Sequence, residues 1–245
     1  MLSHAPDKVT AILDEAVSEA LTFAAIEQPP VDAFQVARAL GLAVLEDSGQ
    51  RPRARLVRVA DPRGGPSRPS IVLSAEPRGE RRQWAVAHEI GEHLAGRCFE
   101  QLNWSVDDVP LDTRESLANQ LARRLLLPSE WFARDAANDD WELPLLKQRY
   151  ATASHELIAW RTLDLPEPAI VTVFDHGRVT WRRTNLAGRA PLMSAVEQAA
   201  WRFAHKQGAI YRTREHGARI VAWPIHELDW RREIVRCDTA AFEFP

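Results

Sequence analysis

The stretch Trp84-Ala-Val-Ala-His-Glu-Ile-Gly-Glu-His-Leu-Ala-Gly96 decides how the rest of the chain is interpreted. Its small apolar residues predict a helix that is mostly buried. The helix would hold four side chains that can bind a metal or carry a proton: His88, Glu89, Glu92 and His93. Buried carboxylates and imidazoles cost free energy unless they are paired or bind a metal, so the stretch predicts a metal site.

The spacing of these side chains is close to the zinc-binding pattern His-Glu-x-x-His but differs from it at one position. An α-helix turns by about 100° per residue, so residues four apart lie about 40° apart on one face. His88 and Glu92 meet this condition, and a carboxylate oxygen can replace an imidazole on zinc. His93 lies about 140° from His88, so we predict that it orients Glu89 or hydrogen-bonds the substrate.

Two alternatives to the pair of His88 and Glu92 remain open. A π-bulge near Gly91 would turn His93 towards His88 and make it the second ligand. The helix face that carries His88 and Glu92 could also be an ordinary polar face, stabilised by side-chain pairs one helical turn apart.

A second helix is predicted between Asp112 and Pro128, with an apolar stripe of leucine and alanine. Glu115 on this helix is the natural third ligand, because a catalytic zinc site has three protein ligands and one open position for water. The expected ion is Zn²⁺, although two carboxylate ligands also suit a harder ion such as Mn²⁺. The alternative role for Glu115 is a capping box with Asp112.

Composition restricts the class of protein. The 245 residues carry a net charge of -3, with 27% charged and 45% hydrophobic residues, which is typical of a soluble protein and not of a dedicated nucleic-acid binder. The two cysteines, Cys98 and Cys237, form no C-x-x-C motif, which argues against a disulfide scaffold or a thiolate zinc site. The sequence shows no long apolar run and no signal pattern, so we expect no membrane association and a cytoplasmic location.

The segments before the predicted helix at Trp84–Gly96 predict an α+β fold. We expect helices at residues 7–27 and 33–40, strands at 42–45, 54–59 and 70–74, and a loop at 61–69. A strand just before the helix that carries His88 and Glu92 matters for function, because an extended peptide could add to the sheet edge beside the metal.

Residues 142–163 predict two short helices joined around Ala151–Ser154, a pattern like a helix-turn-helix. The net charge gives little electrostatic drive for DNA binding, so we predict that the helical pair packs beside the core and that DNA binding is unlikely. The chain would then consist of a zincin-like domain, residues 1–165, and a C-terminal α/β extension of unknown role, residues 166–245.

The predicted extension contains a hairpin at residues 170–182, a helix at 193–206 and strands at 218–223 and 233–236. Its four histidines are too widely spread for a site to be visible from sequence: His176, His205, His216 and His226.

These motifs carry a family resemblance over roughly residues 25–165. The chain resembles the ImmA/IrrE family of zinc metallopeptidases at His88-Glu-Ile-Gly91, Glu115-x-x-Ala118-Asn119 and Leu126-Leu127-Pro128. That family has a second histidine four residues after the first, where this chain has Glu92. The resemblance implies a zincin-like core that binds its metal through His88, Glu92 and Glu115.

The resemblance also implies a substrate class: helix-turn-helix transcriptional repressors, cut to derepress a mobile element or a stress regulon. We therefore expect a metal-dependent endopeptidase with Glu89 and His93 as its catalytic residues. The alternative is a catalytically degenerate zincin that acts as a protein-binding regulatory module. An intact Glu89 and Glu115 favour the enzyme, whereas Glu92 favours the binding module.

Overall fold

The computed structural model describes residues 6–47, 49, 54–60, 66–105, 108–215 and 217–238. The chain forms two compact units, an N-terminal unit, Met1–Ser154, and a C-terminal unit, His155–Pro245. Each unit combines helices with a sheet, so the predicted α+β class is confirmed.

The N-terminal unit contains six helices and three strands among its described residues. In chain order these are α1 (Pro6–Phe23), α2 (Ala33–Ala39), β1 (Ala43–Glu46), β2 (Ala54–Val59), β3 (Arg68–Leu73), α3 (Gly79–Gln101), α4 (Leu111–Leu126), α5 (Ser129–Asn138) and α6 (Leu143–Arg149). The prediction for β2 is confirmed to the residue, whereas β1 and β3 are displaced by one or two residues. Part of the loop predicted at residues 61–69 lies outside the described residues.

The helix α1 ends before the predicted residue 27. Ala25 has a positive φ of 53°, and the amide of Ile26 donates to the carbonyl of Leu21, which closes the helix end. An alanine in this left-handed conformation is uncommon, and the apolar spacing of the sequence gave no sign of it.

The three strands form one mixed sheet in the order β1-β3-β2. β3 lies in the middle, parallel to β1 and antiparallel to β2, which leaves β2 at an edge. Helix α3, which carries the predicted ligands His88 and Glu92, packs on this sheet and even more extensively on α4. The sheet edge at β2 and the contact between α3 and α4 therefore position the candidate site.

The C-terminal unit is built on a five-stranded antiparallel sheet in the order β5-β4-β8-β7-β6. Its elements are α7 (His155–Arg161), a 3₁₀ turn (Thr162–Asp164), β4 (Ala169–Asp175), β5 (Arg178–Thr184), α8 (Ala195–Gln207), β6 (Tyr211–Glu215), β7 (Ala218–Glu227) and β8 (Trp230–Asp238). One face of the sheet packs against α8 through a core that includes Phe174, Ala200, Ala204 and Val235.

Both strands of the last hairpin are longer than predicted, and the first continues through Pro224, where the sequence pattern predicts its end. In the structure Pro224 lies inside β7 and pairs with Glu233. β6 pairs with β7 only as far as Ala222, so beyond that point β7 has a neighbour on one side. A proline that lacks an N–H costs no ladder hydrogen bond at such an edge.

The boundary between the two units differs from the one drawn at residue 165 from the sequence. The two short helices predicted within residues 142–163 are present as α6 and α7, but the boundary falls between them. α7 belongs to the C-terminal unit because Trp160 packs against Trp181, and Glu156 accepts a hydrogen bond from the Trp181 indole at 2.8 Å.

Among the described residues, no helix combines the length and the apolar character that a bilayer crossing requires.

Candidate metal centre

The predicted ligand side chains meet where α3 packs against α4. One ligand atom each from His88, Glu92 and Glu115 lies within 4.8 Å of the others. His88 Nε2 is 3.6 Å from Glu115 Oε2. His88 and Glu92 are half-buried on α3, and Glu115 reaches them from the exposed start of α4. Among the described residues this is the one group of three such side chains close enough to share an ion.

The close approach of the two helices depends on Gly91. A Cβ atom added at Gly91 would lie only 2.5 Å from the carbonyl oxygen of Ala118, a distance that real Cβ atoms do not reach. The neighbouring residue on α4 is itself small and fully buried, since Ala118 is 0% exposed. These two small residues let α4 come close enough for Glu115 to reach the face of α3 that carries His88.

The orientation of His88 is fixed by Asn119. His88 Nδ1 lies 3.2 Å from Asn119 Oδ1, so an Nδ1–H can donate to the amide oxygen. In the neutral ring this hydrogen bond places the proton on Nδ1, so that Nε2, which faces Glu115, has the lone pair that binds a metal. From sequence alone Asn119 has no evident role, although its position one helical turn after Glu115 places it on the same face of α4.

Glu89 lies on the side of α3 that faces the sheet. It is 6% exposed, and this burial is the main reason why its pKa is raised. The negative charges of Glu92 and Glu115 raise the pKa further, whereas His88 and the backbone N–H of Leu56 on β2 lower it. Glu89 therefore sits between the group of ligands and the edge strand, with a raised proton affinity.

His93 lies outside the group of three ligand atoms. α3 is an unbroken α-helix from Gly79 to Gln101, without the π-turn that would rotate His93 towards His88. His93 is exposed overall, but partial desolvation of its ring lowers its pKa, and the positive charge of Arg58 on β2 lowers it further. The neutral imidazole is thereby favoured, a form in which one ring nitrogen donates a hydrogen bond and the other accepts one.

The proposed capping box at the start of α4 is wrong. The helix begins at Leu111 with Pro110 in the N-cap position, and no side chain there makes a capping hydrogen bond. Asp112 is inside the first turn and Glu115 is beyond the third helical position, so the two cannot form the reciprocal pair. A simple polar face of α3 does not explain the arrangement either, because Glu115 comes from a different helix.

The donor atoms suit a divalent ion. One imidazole nitrogen and two carboxylate oxygens match, in number and in kind, the three protein ligands that a catalytic zinc site has beside its exchangeable fourth position. Such a donor set beside a buried glutamate, on two packed helices next to a sheet edge, is the arrangement expected of the metallopeptidase class.

Comparison with known proteins agrees with this class. The family model described as Peptidase_M78, IrrE N-terminal-like domain, matches residues 32–159, and the chain belongs to this family. The resemblance to the ImmA/IrrE family is thereby confirmed. A comparison with curated proteins gives no significant match.

The fold is also similar to that of a solved structure. A Mycobacterium tuberculosis transcriptional regulator superimposes with a TM-score of 0.63 at 18% sequence identity. The alignment covers 95% of this chain and 78% of that chain, so the similarity in fold extends over both units.

Proposed function

We propose that the protein is a metal-dependent endopeptidase. The observation that carries this proposal is the meeting of three ligand atoms, from His88, Glu92 and Glu115, directly beside the buried carboxylate of Glu89. Membership of a peptidase family supports the same reaction class.

Each residue of the centre has a distinct part in the reaction. A divalent ion, when bound, supplies the Lewis acidity that activates water and polarises the scissile carbonyl. Glu89 accepts the proton of the attacking water and delivers it to the leaving amine, a role that its raised pKa suits. His93, whose lowered pKa favours the neutral ring, donates a hydrogen bond to the substrate or orients Glu89. Asn119 keeps His88 in the metal-binding tautomer.

The edge strand β2 is the proposed binding surface for the substrate peptide. β2 pairs with β3 on one side only among the described residues, and its Leu56 N–H is directed at Glu89. An extended peptide that adds to this edge forms backbone hydrogen bonds and passes the catalytic glutamate. A scissile bond can be placed in this way without a deep pocket.

The substrate we propose is a helix-turn-helix transcriptional repressor. This assignment is supported by the family resemblance. Incubation of the metal-loaded protein with candidate repressors, followed by mass spectrometry of the fragments, tests it. We expect cleavage at a single site. If all candidate repressors stay intact while unrelated extended peptides are cut, the proposed substrate is wrong and the proposed peptidase activity is retained.

The ion we propose is Zn²⁺, with Mn²⁺ as a second possibility. Replacing a neutral histidine by the anionic Glu92 adds negative charge next to the ion. This charge weakens the Lewis acidity of the ion and favours a harder metal.

The first prediction concerns Glu115. The purified protein should hold about one metal ion per chain, and Glu115→Ala should lose most of it, because two ligands bind far more weakly than three. Elemental analysis of both proteins measures the difference. Asp112→Ala removes an acid from the same helical turn and should keep the metal. Equal retention by the native and Glu115→Ala proteins would remove Glu115 from the centre.

The second prediction separates Glu92 from His93. Glu92→Ala should lose the metal, whereas His93→Ala should keep the metal and lose activity. Glu92→His restores the usual family pattern and should bind Zn²⁺ at least as tightly as the native protein. If His93 were the second ligand, the outcomes of the two alanine variants would be exchanged; calorimetric titration with Zn²⁺ distinguishes the cases.

A second candidate function is a protein-binding regulatory module without catalysis. The observation that favours it is Glu92 in the position of the usual histidine. If the protein is such a module, neither the native protein nor the Glu92→His variant cuts a candidate repressor, while the native protein still binds it. Cleavage by the native protein removes this candidate.

The third prediction is that the protein does not bind DNA tightly. Two basic side chains of α6 are already paired, Lys147 with Glu80 at 3.0 Å and Arg149 with Asp139 at 3.3 Å. The net charge of -3 also gives little counterion-release drive. A gel-shift assay at low and moderate salt should show weak binding. Tight binding that falls steeply with salt would overturn the prediction.

A further inference from the structure

The edge strand β2 carries an arginine, Arg58, that the proposed reaction does not use. Its side chain is exposed, and no other residue that the structure describes forms a hydrogen bond or an ion pair with its guanidinium. By contrast, Arg82 on the neighbouring helix α3 is paired with Glu46. The guanidinium of Arg58 is therefore a positive charge that is available to a ligand, and carboxylates are the groups that it binds best.

The backbone of β2 shows which residues are presented at the open edge of the sheet. In an antiparallel pair, the N–H and C=O groups of successive residues point alternately towards the partner strand and away from it. The N–H of Leu56 is bonded to the side chain of Glu89 and is therefore not directed at β3. Arg58 lies two residues further, so its N–H and C=O point to the same open side.

The partner of Arg58 on β3 supports this assignment. It is Pro69, which has no N–H to donate to the ladder. A proline fits a position at which the two strands exchange no hydrogen bonds. The backbone groups of Arg58 are thus available to an added strand.

The side chain of Arg58 lies on the face of the sheet that carries the candidate metal centre. Side chains alternate between the two faces of a strand, so Arg58 shares its face with Leu56 and not with Arg55. The positive charge of Arg58 acts on the imidazole of His93 on α3. The guanidinium is therefore on the α3 side of the sheet, next to the candidate centre.

The candidate centre itself is acidic, which restricts where a substrate could carry an acid. Glu89, Glu92 and Glu115 lie close enough for their negative charges to act on one another. A carboxylate of the substrate is repelled by such a group and is accepted only where a positive charge offsets the repulsion. Arg58 supplies that charge at one point of the edge, so the preference for an acid should be confined to one position of the substrate.

We propose that Arg58 selects the substrate by binding one acidic side chain, of Asp or Glu, in an extended peptide that pairs with β2. This proposal rests on the proposed endopeptidase function. The residue of the peptide directly opposite Arg58 points to the same face of the sheet, where opposite charges form a cross-strand pair. Glu89 meets the strand at Leu56, so the acidic residue lies about two residues from the scissile bond.

Cleavage of a randomised synthetic peptide library, followed by mass spectrometry of the new ends, tests the selection. We expect the native protein to enrich acidic residues at a single position by about 2- to 5-fold, the effect of one exposed ion pair. Arg58→Glu should abolish this enrichment and favour Lys and Arg at the same position. Arg55→Glu makes the same change of charge on the opposite face of β2 and should keep the native profile.

Binding of a defined probe gives a measurement that does not depend on cleavage. The probe is a labelled short peptide of alternating threonine and valine with one central glutamate, and its counterpart has glutamine there. In a Glu89→Gln background, fluorescence anisotropy should show that the glutamate probe binds about 2- to 5-fold more tightly. The added change Arg58→Gln should remove this difference, and Arg55→Gln should keep it.

The two measurements separate this proposal from the proposed function. If the protein cuts peptides without an acidic preference, or if Arg58→Glu keeps the native profile, the role of Arg58 is wrong and the peptidase activity stands. If the protein cuts nothing but binds the glutamate probe through Arg58, the peptidase activity is wrong and the recognition stands. Equal binding of the two probes without any cleavage overturns both.

Discussion

Replacing Glu89 by alanine should abolish peptide cleavage and leave the metal in place. Glu89 is not one of the three proposed ligands, so the alanine variant keeps all three of them. It removes the buried carboxylate that would move the proton from water to the leaving amine. General acid–base catalysis of this kind contributes about 10²- to 10⁴-fold, and kcat should fall by that factor.

The measurement is a cleavage assay with the identified substrate, combined with elemental analysis of the same preparation. Glu100→Ala changes an exposed glutamate on the same helix and should leave both the rate and the metal content unchanged. A Glu89→Ala protein that cleaves its substrate at the native rate would reject the mechanism. Loss of metal from this variant would instead show that Glu89 takes part in binding the ion.

The second large effect is expected at Gly91. Alanine there would bring its Cβ to 2.5 Å from the carbonyl oxygen of Ala118, which is backbone and cannot rotate away. The two helices must separate, and Glu115 then moves away from His88. Inserting an extra carbon into a tight contact costs about 1–3 kcal/mol, and we expect the metal content to fall as well.

Gly96 on the same helix provides the matched control, because a Cβ added there meets no atom within 4 Å. Gly96→Ala should stabilise the helix, by up to about 1 kcal/mol, since alanine has the higher helix propensity. Urea unfolding and elemental analysis of the two variants measure the contrast. A Gly91→Ala protein as stable and as metal-rich as Gly96→Ala would show that the helices tolerate a wider separation.

The parts of the site that sequence could predict are those with local spacing. His88 and Glu92 are one turn apart, so helical geometry alone places them on one face. Glu115 required one more step, the rule that a catalytic ion has three protein ligands, and the structure brings it to the other two. The family motif marked Gly91 and Ala118, but only the packed helices show why both are small.

The parts that sequence could not predict depend on pairing between distant segments. His205 and Glu233 lie 28 residues apart in the chain, and no periodicity connects them; the packing of α8 on the sheet brings them together. The extension of β7 through Pro224 was hidden for a related reason. A proline argues against a central strand, and the sequence does not reveal that β6 pairs with β7 only as far as Ala222, so that β7 is an edge strand at Pro224.

The three proposed ligands differ in exposure, which has a consequence for the kinetics of metal exchange. The Glu115 side chain is 51% exposed, whereas that of His88 is 20% exposed and is held by Asn119. Rotation of Glu115 into solvent requires no unfolding, and exposed side chains change rotamer within nanoseconds. An ion would therefore enter or leave through rotation of the exposed Glu115 side chain. A chelator could then empty the centre while the two helices stay packed.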